Sequence, residues 1–269
     1  MTELFDNLKP ESGYVIAETA CGHEGDPKKL KKLIDCVIES KCQIIKFQIF
    51  KTFERAIKGH KEWDIFSKLE LSEQEWIRQV KYAKKSGLHV FVDVYGHDSF
   101  SIAKKMDVDG YKIHSEDLLN TDFILEVCQS NKIVMIGVGA AKRIEINDLV
   151  KYINDKISHP KIIFMTGVQT FPTPVEAHSI KEIIDLIDKY SKYGVKVGFS
   201  DHVEGSQKEA LILPLMAFSG GASIIEKHIT INREDKWIDY HSALNCGDFK
   251  NFMKQVNLLC PLLNDIGKM

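Results

Sequence analysis

The sequence lacks the features that would send a protein into a membrane, onto a nucleic acid or into an oxidising compartment. Its first residues, MTELFDNLKPESGY, hold no apolar core segment and do not read as a signal peptide. The most apolar stretch, around Ala210 to Phe218, falls well short of the ~20 residues that cross a bilayer. Neither sign of charge dominates: 36 Lys and Arg against 38 Asp and Glu leave a net charge of -2. That balance gives no reason to expect a nucleic acid or an anionic membrane as partner, so any bound anion must be held by local groups. Prolines are few, 7 in 269 residues, and no Pro/Gly-rich linker divides the chain, so residues 1–269 are expected to form one domain. The six cysteines (Cys21, Cys36, Cys42, Cys128, Cys246, Cys260) show neither CxxC nor any other metal-type spacing. They are expected to be reduced thiols, with Cys36 and Cys128 on apolar helix faces, in a cytoplasmic protein.

What the chain does have is alternation. Short β-rich runs at Tyr14–Glu18, Ile44–Gln48, His89–Val94, Gly110–Ile113, Ile133–Gly137, Ile162–Thr166, Val195–Phe199 and Ser223–Lys227 are each followed by an amphipathic helix. The first helix, about residues 26–41, shows Leu30, Leu33, Ile34, Val37 and Ile38 at helical spacing, one stripe facing a core. A longer connection follows the second strand, and order returns at Ser72, which with Glu75 has the spacing of a capping box; Gly87 closes that helix. Further helices are expected near 99–106, 121–130, 144–156, 177–193, 206–219 and 248–260. Regular βα alternation makes the strands parallel, and eight units fit a closed (β/α)8 TIM barrel. A doubly wound sheet is the alternative, but no GxGxxG follows the first strand.

Strands covered by helices should be almost wholly apolar. Here the exceptions gather at the C-terminal ends: Glu18, Lys46 with Gln48, Asp93, Lys112 with His114, Ser200 with His202, and Glu226 with His228. Residues i and i+2 of a strand share a face, so if Ile45, Phe47 and Ile113 pack outward, their charged neighbours project into the barrel mouth, where barrel enzymes keep their chemistry. Taken singly, each residue also has a plain structural role open to it. A strand lysine can pair with Glu18 as a bridge, and Asp201 can cap a loop. His60, His89, His97, His159 and His178 are expected to be ordinary surface or core histidines. Convergence on strand ends is what marks the others out.

These stretches carry a family resemblance. Ile16–Glu18 with Gly22–Gly25, Lys46–Gln48, Leu69–Trp76, Tyr111–Ile113, Phe171–Pro174, Gly198–His202 and Ile225–Thr230 resemble, in order and spacing from about residue 14 to 256, the N-acetylneuraminate (sialic acid) synthase family. The resemblance implies condensation of phosphoenolpyruvate with an N-acylated amino sugar or other aldose, giving a nonulosonic 2-keto acid and phosphate. It implies His202 and His228 as ligands of a divalent metal, Mn2+ or Mg2+. Lys46, Lys112, Ser115 and Ser200 would hold phosphoenolpyruvate, while Glu18, Gln48 and Asp239 would face the sugar, Glu18 as acid/base. Asp93, His114, Asp117, Gln169 and Phe171 stand at further substrate-facing positions. The partners implied are phosphoenolpyruvate, a sugar aldehyde and a second copy of the chain in a homodimer. The antifreeze-like domain that follows the barrel in the family is not expected within these 269 residues.

The chain departs from the family pattern at several of these positions. S-T-P-F is replaced by Val92-Asp93-Val94-Tyr95, K-I-G-S-G by Lys112-Ile113-His114-Ser115-Glu116, and S-T-G-M by Gly137-Val138-Gly139-Ala140. Gln169 and Phe171 replace an Asn or Ser and a Tyr. Hydroxyl donors are thereby lost, and Asp93 brings negative charge where an anion is expected. Two other functions stay open on the residues alone: a Schiff-base pyruvate-type aldolase using Lys46 or Lys112, and a non-catalytic sugar-acid-binding relative of the synthases.

Overall fold

A computed structural model describes residues 2–264. Eight parallel strands close on themselves: β1 (Val15–Glu18), β2 (Ile44–Ile49), β3 (His89–Val94), β4 (Gly110–Ile113), β5 (Ile133–Gly137), β6 (Ile162–Thr166), β7 (Lys196–Asp201) and β8 (Ile224–Thr230). Pairing of Ile16 with both Ile44 and Glu226 completes the ring, as the alternation predicts. The strands fall where the sequence places them: β3 to β6 coincide at both ends, and the other four differ by at most three residues at an end.

The helices follow from local signals. The helix Pro27–Ser40 begins with Asp26 accepting the Lys28 amide at 2.8 Å and Pro27 in the first turn, where its missing N–H costs nothing. Lys41, with φ 60°, ends it. Ser72 caps the helix Glu73–Lys85 as expected, but Glu75 does not complete the box: its carboxylate accepts from Gln79 at 2.7 Å.

Three helices go beyond the sequence expectation. Thr52–Arg55 and Trp63–Leu69 lie in the long connection after β2, and Thr2–Asn7 precedes β1. The last has a clear purpose. Ile16, Ile44, Phe91, Met135, Met165 and Ile224 point into the barrel and fill its lower half, and Leu4 and Leu8 close it from below. The Leu8 carbonyl also accepts Lys196 Nζ at 2.6 Å. The outward faces, Ile45, Phe47 and Ile113 among them, join the larger core under the helices.

One expectation fails. Cys36 and Cys246 are joined as a disulfide, although 210 residues separate them; Cys21, Cys42, Cys128 and Cys260 are free and buried. Closing the barrel sets Pro27–Ser40 beside the last helix, Cys246–Leu259, a proximity that linear spacing does not reveal. No helix among the described residues is long and apolar enough to cross a membrane.

If the N-terminal helix is a plug, Leu8→Ala should lose about 2–5 kcal/mol of stability, because the barrel wall cannot collapse onto the gap. Urea denaturation measures this; a loss below ~0.5 kcal/mol would show that the helix merely rests on the surface.

Candidate active site

Above the apolar plug the interior turns to charge. Lys46 has no exposed surface, and its ammonium is ringed by carboxylates: Asp93 at 2.6 and 2.7 Å, Glu226 at 3.3 Å, and Glu18 in a closer pair. Glu18 also accepts the Ala20 amide. From β4, Lys112 reaches across to Glu226 at 2.6 Å, and Ser200 Oγ lies 3.4 Å from the same oxygen. A buried charge costs several kcal/mol unless paired, so these groups hold one another in place.

Burial separates their protonation. It pushes Glu18 up to about 8, with Lys46 opposing the rise and Asp93 and Glu226 adding to it. Burial alone would also raise Asp93, but Lys46 and then His114 outweigh it and bring the carboxyl down to about 2. Lys112 and Lys46 likewise overcome burial at Glu226 and hold it well below the usual carboxylate range. At neutral pH the floor therefore carries the anions Asp93 and Glu226 against two ammonium groups, with Glu18 protonated.

On one side, β7 and β8 bring His202, Glu226 and His228 together, one ligand atom from each lying within 4.8 Å of the others. His202 Nδ1 is 3.0 Å from the Val168 carbonyl, which can only accept, so the proton sits on Nδ1 and Nε2 keeps its lone pair. His228 Nδ1 is buried without a hydrogen-bond partner. Burial brings His202 down to about 4, and burial with the neighbouring His202 holds His228 well below the usual imidazole range. Both imidazoles are thus neutral, the form that binds metal.

On the other side, β3 and β4 bring Asp93, Tyr95 and His114 together. His114 Nε2 lies 2.8 Å from Asp93 Oδ2 and 3.0 Å from the Tyr95 hydroxyl. Arg55 covers the Tyr95 ring at 4.1 Å and pairs with Glu116 at 3.0 Å. The segment carrying Arg55 is tied down by Glu70, which accepts the amide and hydroxyl of Thr52 at 2.8 and 2.7 Å.

Between these walls lies a cavity of about 620 Å3. Of the residues singled out from the sequence, it is lined by Gln48, Lys112, His114, Ser115, Gln169, Phe171, Asp239, His202, Glu226 and His228. Glu18, Lys46, Asp93 and Ser200 lie beneath its floor. Asp117 stands outside it, in the turn after β4. The expectation that Lys46 faces the substrate is therefore corrected: Asp93 and Glu18 occupy its ammonium. Asp93 in turn faces Lys46 and His114 rather than open space. Asp201 does what a loop cap does, accepting the Val203 amide at 2.9 Å, and it also pairs with Lys227 on the barrel's outer face.

The sequence gives little sign of Arg55 and Tyr95 as cavity residues, since both lie outside the alternating polar pattern. Glu226 does stand in that pattern, and its spacing of two from His228 marked a shared face.

The NeuB family model matches residues 33–268. The chain belongs to the NeuB family. Within it, the chain is 28% identical over 255 residues to an uncharacterized protein of Methanocaldococcus jannaschii, covering 95% of this chain and 73% of the relative. It is 26% identical over 270 residues to a pseudaminic acid synthase of Campylobacter jejuni, covering 95% and 76%. A solved sialic acid synthetase of Leptospira borgpetersenii superposes with a TM-score of 0.85 at 25% identity, covering 95% of this chain and 86% of that one. Among NeuB members, then, the chain is sialic acid synthase-like, with a barrel whose floor is a network of ion pairs.

That network sets a stability prediction. Lys46→Met removes the ammonium from between the Asp93 and Glu226 carboxylates and the protonated Glu18, and should cost about 3–5 kcal/mol near pH 7.5. Without Lys46 the folded carboxyl pKa values rise, so the folded state binds more protons than the unfolded chain. Stability then falls as pH climbs from the unfolded values through the folded ones, and the loss should be smaller at pH 5. Denaturant titrations at both pH values would contradict this if the two losses were equal.

Proposed function

We propose that the chain condenses phosphoenolpyruvate with a sugar aldehyde to give a nonulosonic 2-keto acid and phosphate, with a divalent metal, Mn2+ or Mg2+, bound at the β7–β8 wall. The observation that carries this is the placing of His202, Glu226 and His228 within 4.8 Å of one another at the edge of a cavity also lined by Lys112. The family and the names of its synthase relatives supply the reaction class.

The residues fit such an ion. Two neutral imidazoles, one with its tautomer fixed by Val168 and one with an orphaned buried nitrogen, make an incomplete ligand set of the sort that leaves positions for water or substrate. Glu226 is a third donor, although Lys112 and Lys46 already compete for its oxygens. When bound, the ion would supply a Lewis acid for the aldehyde oxygen.

The protein's own groups divide the rest of the work. Lys112 and Ser115, both in the cavity wall, are placed to meet the acidic donor, with Arg55 adding a cation at the rim. Gln48 and Asp239 face the acceptor. Glu18, protonated at neutral pH and covered by the floor, sits beside Lys46 in the same layer. A homodimer and a cytoplasmic setting belong to the same reading.

At Lys46 the Schiff-base alternative fares poorly. A nucleophilic amine must be neutral, and although burial would lower the Lys46 pKa, the surrounding carboxylates raise it above its ordinary value.

Phosphate release should therefore require phosphoenolpyruvate, an aldose and a divalent metal together, and EDTA should abolish it. His228→Ala should weaken Mn2+ binding by more than the ~10–100-fold that an outer partner alone costs, as read by calorimetry. Release that ignores EDTA, or undiminished Mn2+ binding in the variant, would refute the assignment.

A further inference from the structure

Two departures from the family pattern meet each other in space. The threonine position of S-T-P-F is Asp93 and the glycine position of K-I-G-S-G is His114, and here the two side chains are hydrogen-bonded at 2.8 Å. We propose that His114, oriented by Asp93, is a proton-transfer residue of this active site, acting through Nδ1. This rests on the synthase reading above.

The geometry fixes the direction of the bond. Asp93 is wholly buried, and Lys46 holds its Oδ1 at 2.6 Å, so the carboxylate can only accept. His114 Nε2 therefore carries the hydrogen given to Oδ2. The lone pair of the neutral ring is left on Nδ1, which has no hydrogen-bond partner among the described residues, and the ring lines the cavity. A buried carboxylate that orients an imidazole and steadies its protonated form is the arrangement that makes histidine a general base. Tyr95 packs against the ring at 4.9 Å between centroids, limiting its swing.

Other charged and titratable groups surround the ring. Asp93 and Tyr95 come from β3, with Lys46 behind Asp93. Lys112, Glu116 and Asp117 flank His114 in its own segment, and Arg55 approaches from the connection after β2. Of these, Asp93 alone is an anion in direct hydrogen-bond contact with the ring.

The proposed reaction needs such a base. Once C3 of phosphoenolpyruvate has bonded to the aldehyde carbon, water must add at C2 and phosphate must leave. As the water oxygen bonds to C2, Nδ1 takes one of its protons. The C2–O bond to phosphate then breaks with its electron pair on the departing oxygen, which receives the proton from Nδ1. The remaining hydroxyl proton ends on the alkoxide derived from the aldehyde, and C2 becomes the ketone. Atoms and charge balance, and the ring returns to its starting form.

The test uses the intact protein with phosphoenolpyruvate, Mn2+ and an aldose panel. His114→Gln, which keeps a polar side chain of similar size, should lower kcat about 10²–10⁴-fold with little change in KM for phosphoenolpyruvate. It should also erase the fall in kcat that the wild type shows as pH drops and Nδ1 is protonated. Asp93→Asn should move that limb to lower pH. A raised KM with kcat and pH profile unchanged would make His114 a mere substrate ligand and overturn the proposal, as would wild-type kinetics in H114Q. Nitrogen NMR of the histidine rings gives a readout independent of turnover. His114 must show the Nε2–H tautomer in the neutral ring. The Nδ1–H tautomer would sink the pairing even in an active enzyme. The correct tautomer in a protein inactive with every aldose would instead point the failure at the synthase reading.

Discussion

Lys46 holds three acidic side chains from three strands in a buried layer, and much of the site depends on that one ammonium group. Glu18 of β1, Asp93 of β3 and Glu226 of β8 converge on it from around the ring. Removing Lys46 leaves the Asp93 and Glu226 charges uncompensated in a poorly polarisable interior, which costs more than the pairs ever contributed. The layer below is hydrocarbon and the layer above is cavity, so the ion network is the boundary between the part of the barrel that is packed and the part that does chemistry. Because the strands carry their side chains with a period of two, this boundary has a sharp level: Ile16 lies below Glu18, Ile44 below Lys46, Phe91 below Asp93 and Ile224 below Glu226.

The same constraint decides which lysine can meet a ligand. Lys46 is occupied on all sides, whereas Lys112 has one carboxylate partner and stands in the cavity wall. Asp93 is the cause of the difference. A hydroxyl at that position would accept or donate a single hydrogen bond and leave the ammonium with charge to spare; a carboxylate 2.6 Å away takes that charge up. The cations that line the cavity are then Lys112 and Arg55, the latter from the connection after β2.

The parts of this arrangement that were legible in the sequence are those set by strand periodicity. Eight strands, their order and their inward residues follow from i, i+2 spacing, and so does the pairing of Glu226 with His228. What escaped was set by tertiary closure or by loops. The N-terminal helix carries too few residues to show a stripe, and its role appears only when Leu4 and Leu8 are seen to stop the barrel. Cys36 and Cys246 become neighbours because the last helix packs beside the first, 210 residues away in the chain. Arg55 sits in a connection without hydrophobic period. Asp93 was visible as a misplaced charge, but its partners could not be read, because Lys46, Lys112 and His114 were equally available on inward-facing positions.

In an eight-stranded ring β3 and β4 lie opposite β7 and β8, and this gives the cavity two chemically distinct walls. One holds the neutral imidazoles of His202 and His228 beside the anionic Glu226; the other holds His114 with Asp93 and Tyr95. Lys112 spans the floor between them, based on β4 and bonded to Glu226 of β8, so a shift in one wall is felt at the other. The separation sets the free Nδ1 of His114 across the cavity from the His202–Glu226–His228 cluster. The ring closure that hides this pairing from linear sequence is thus also what separates the two kinds of chemistry across a single cavity.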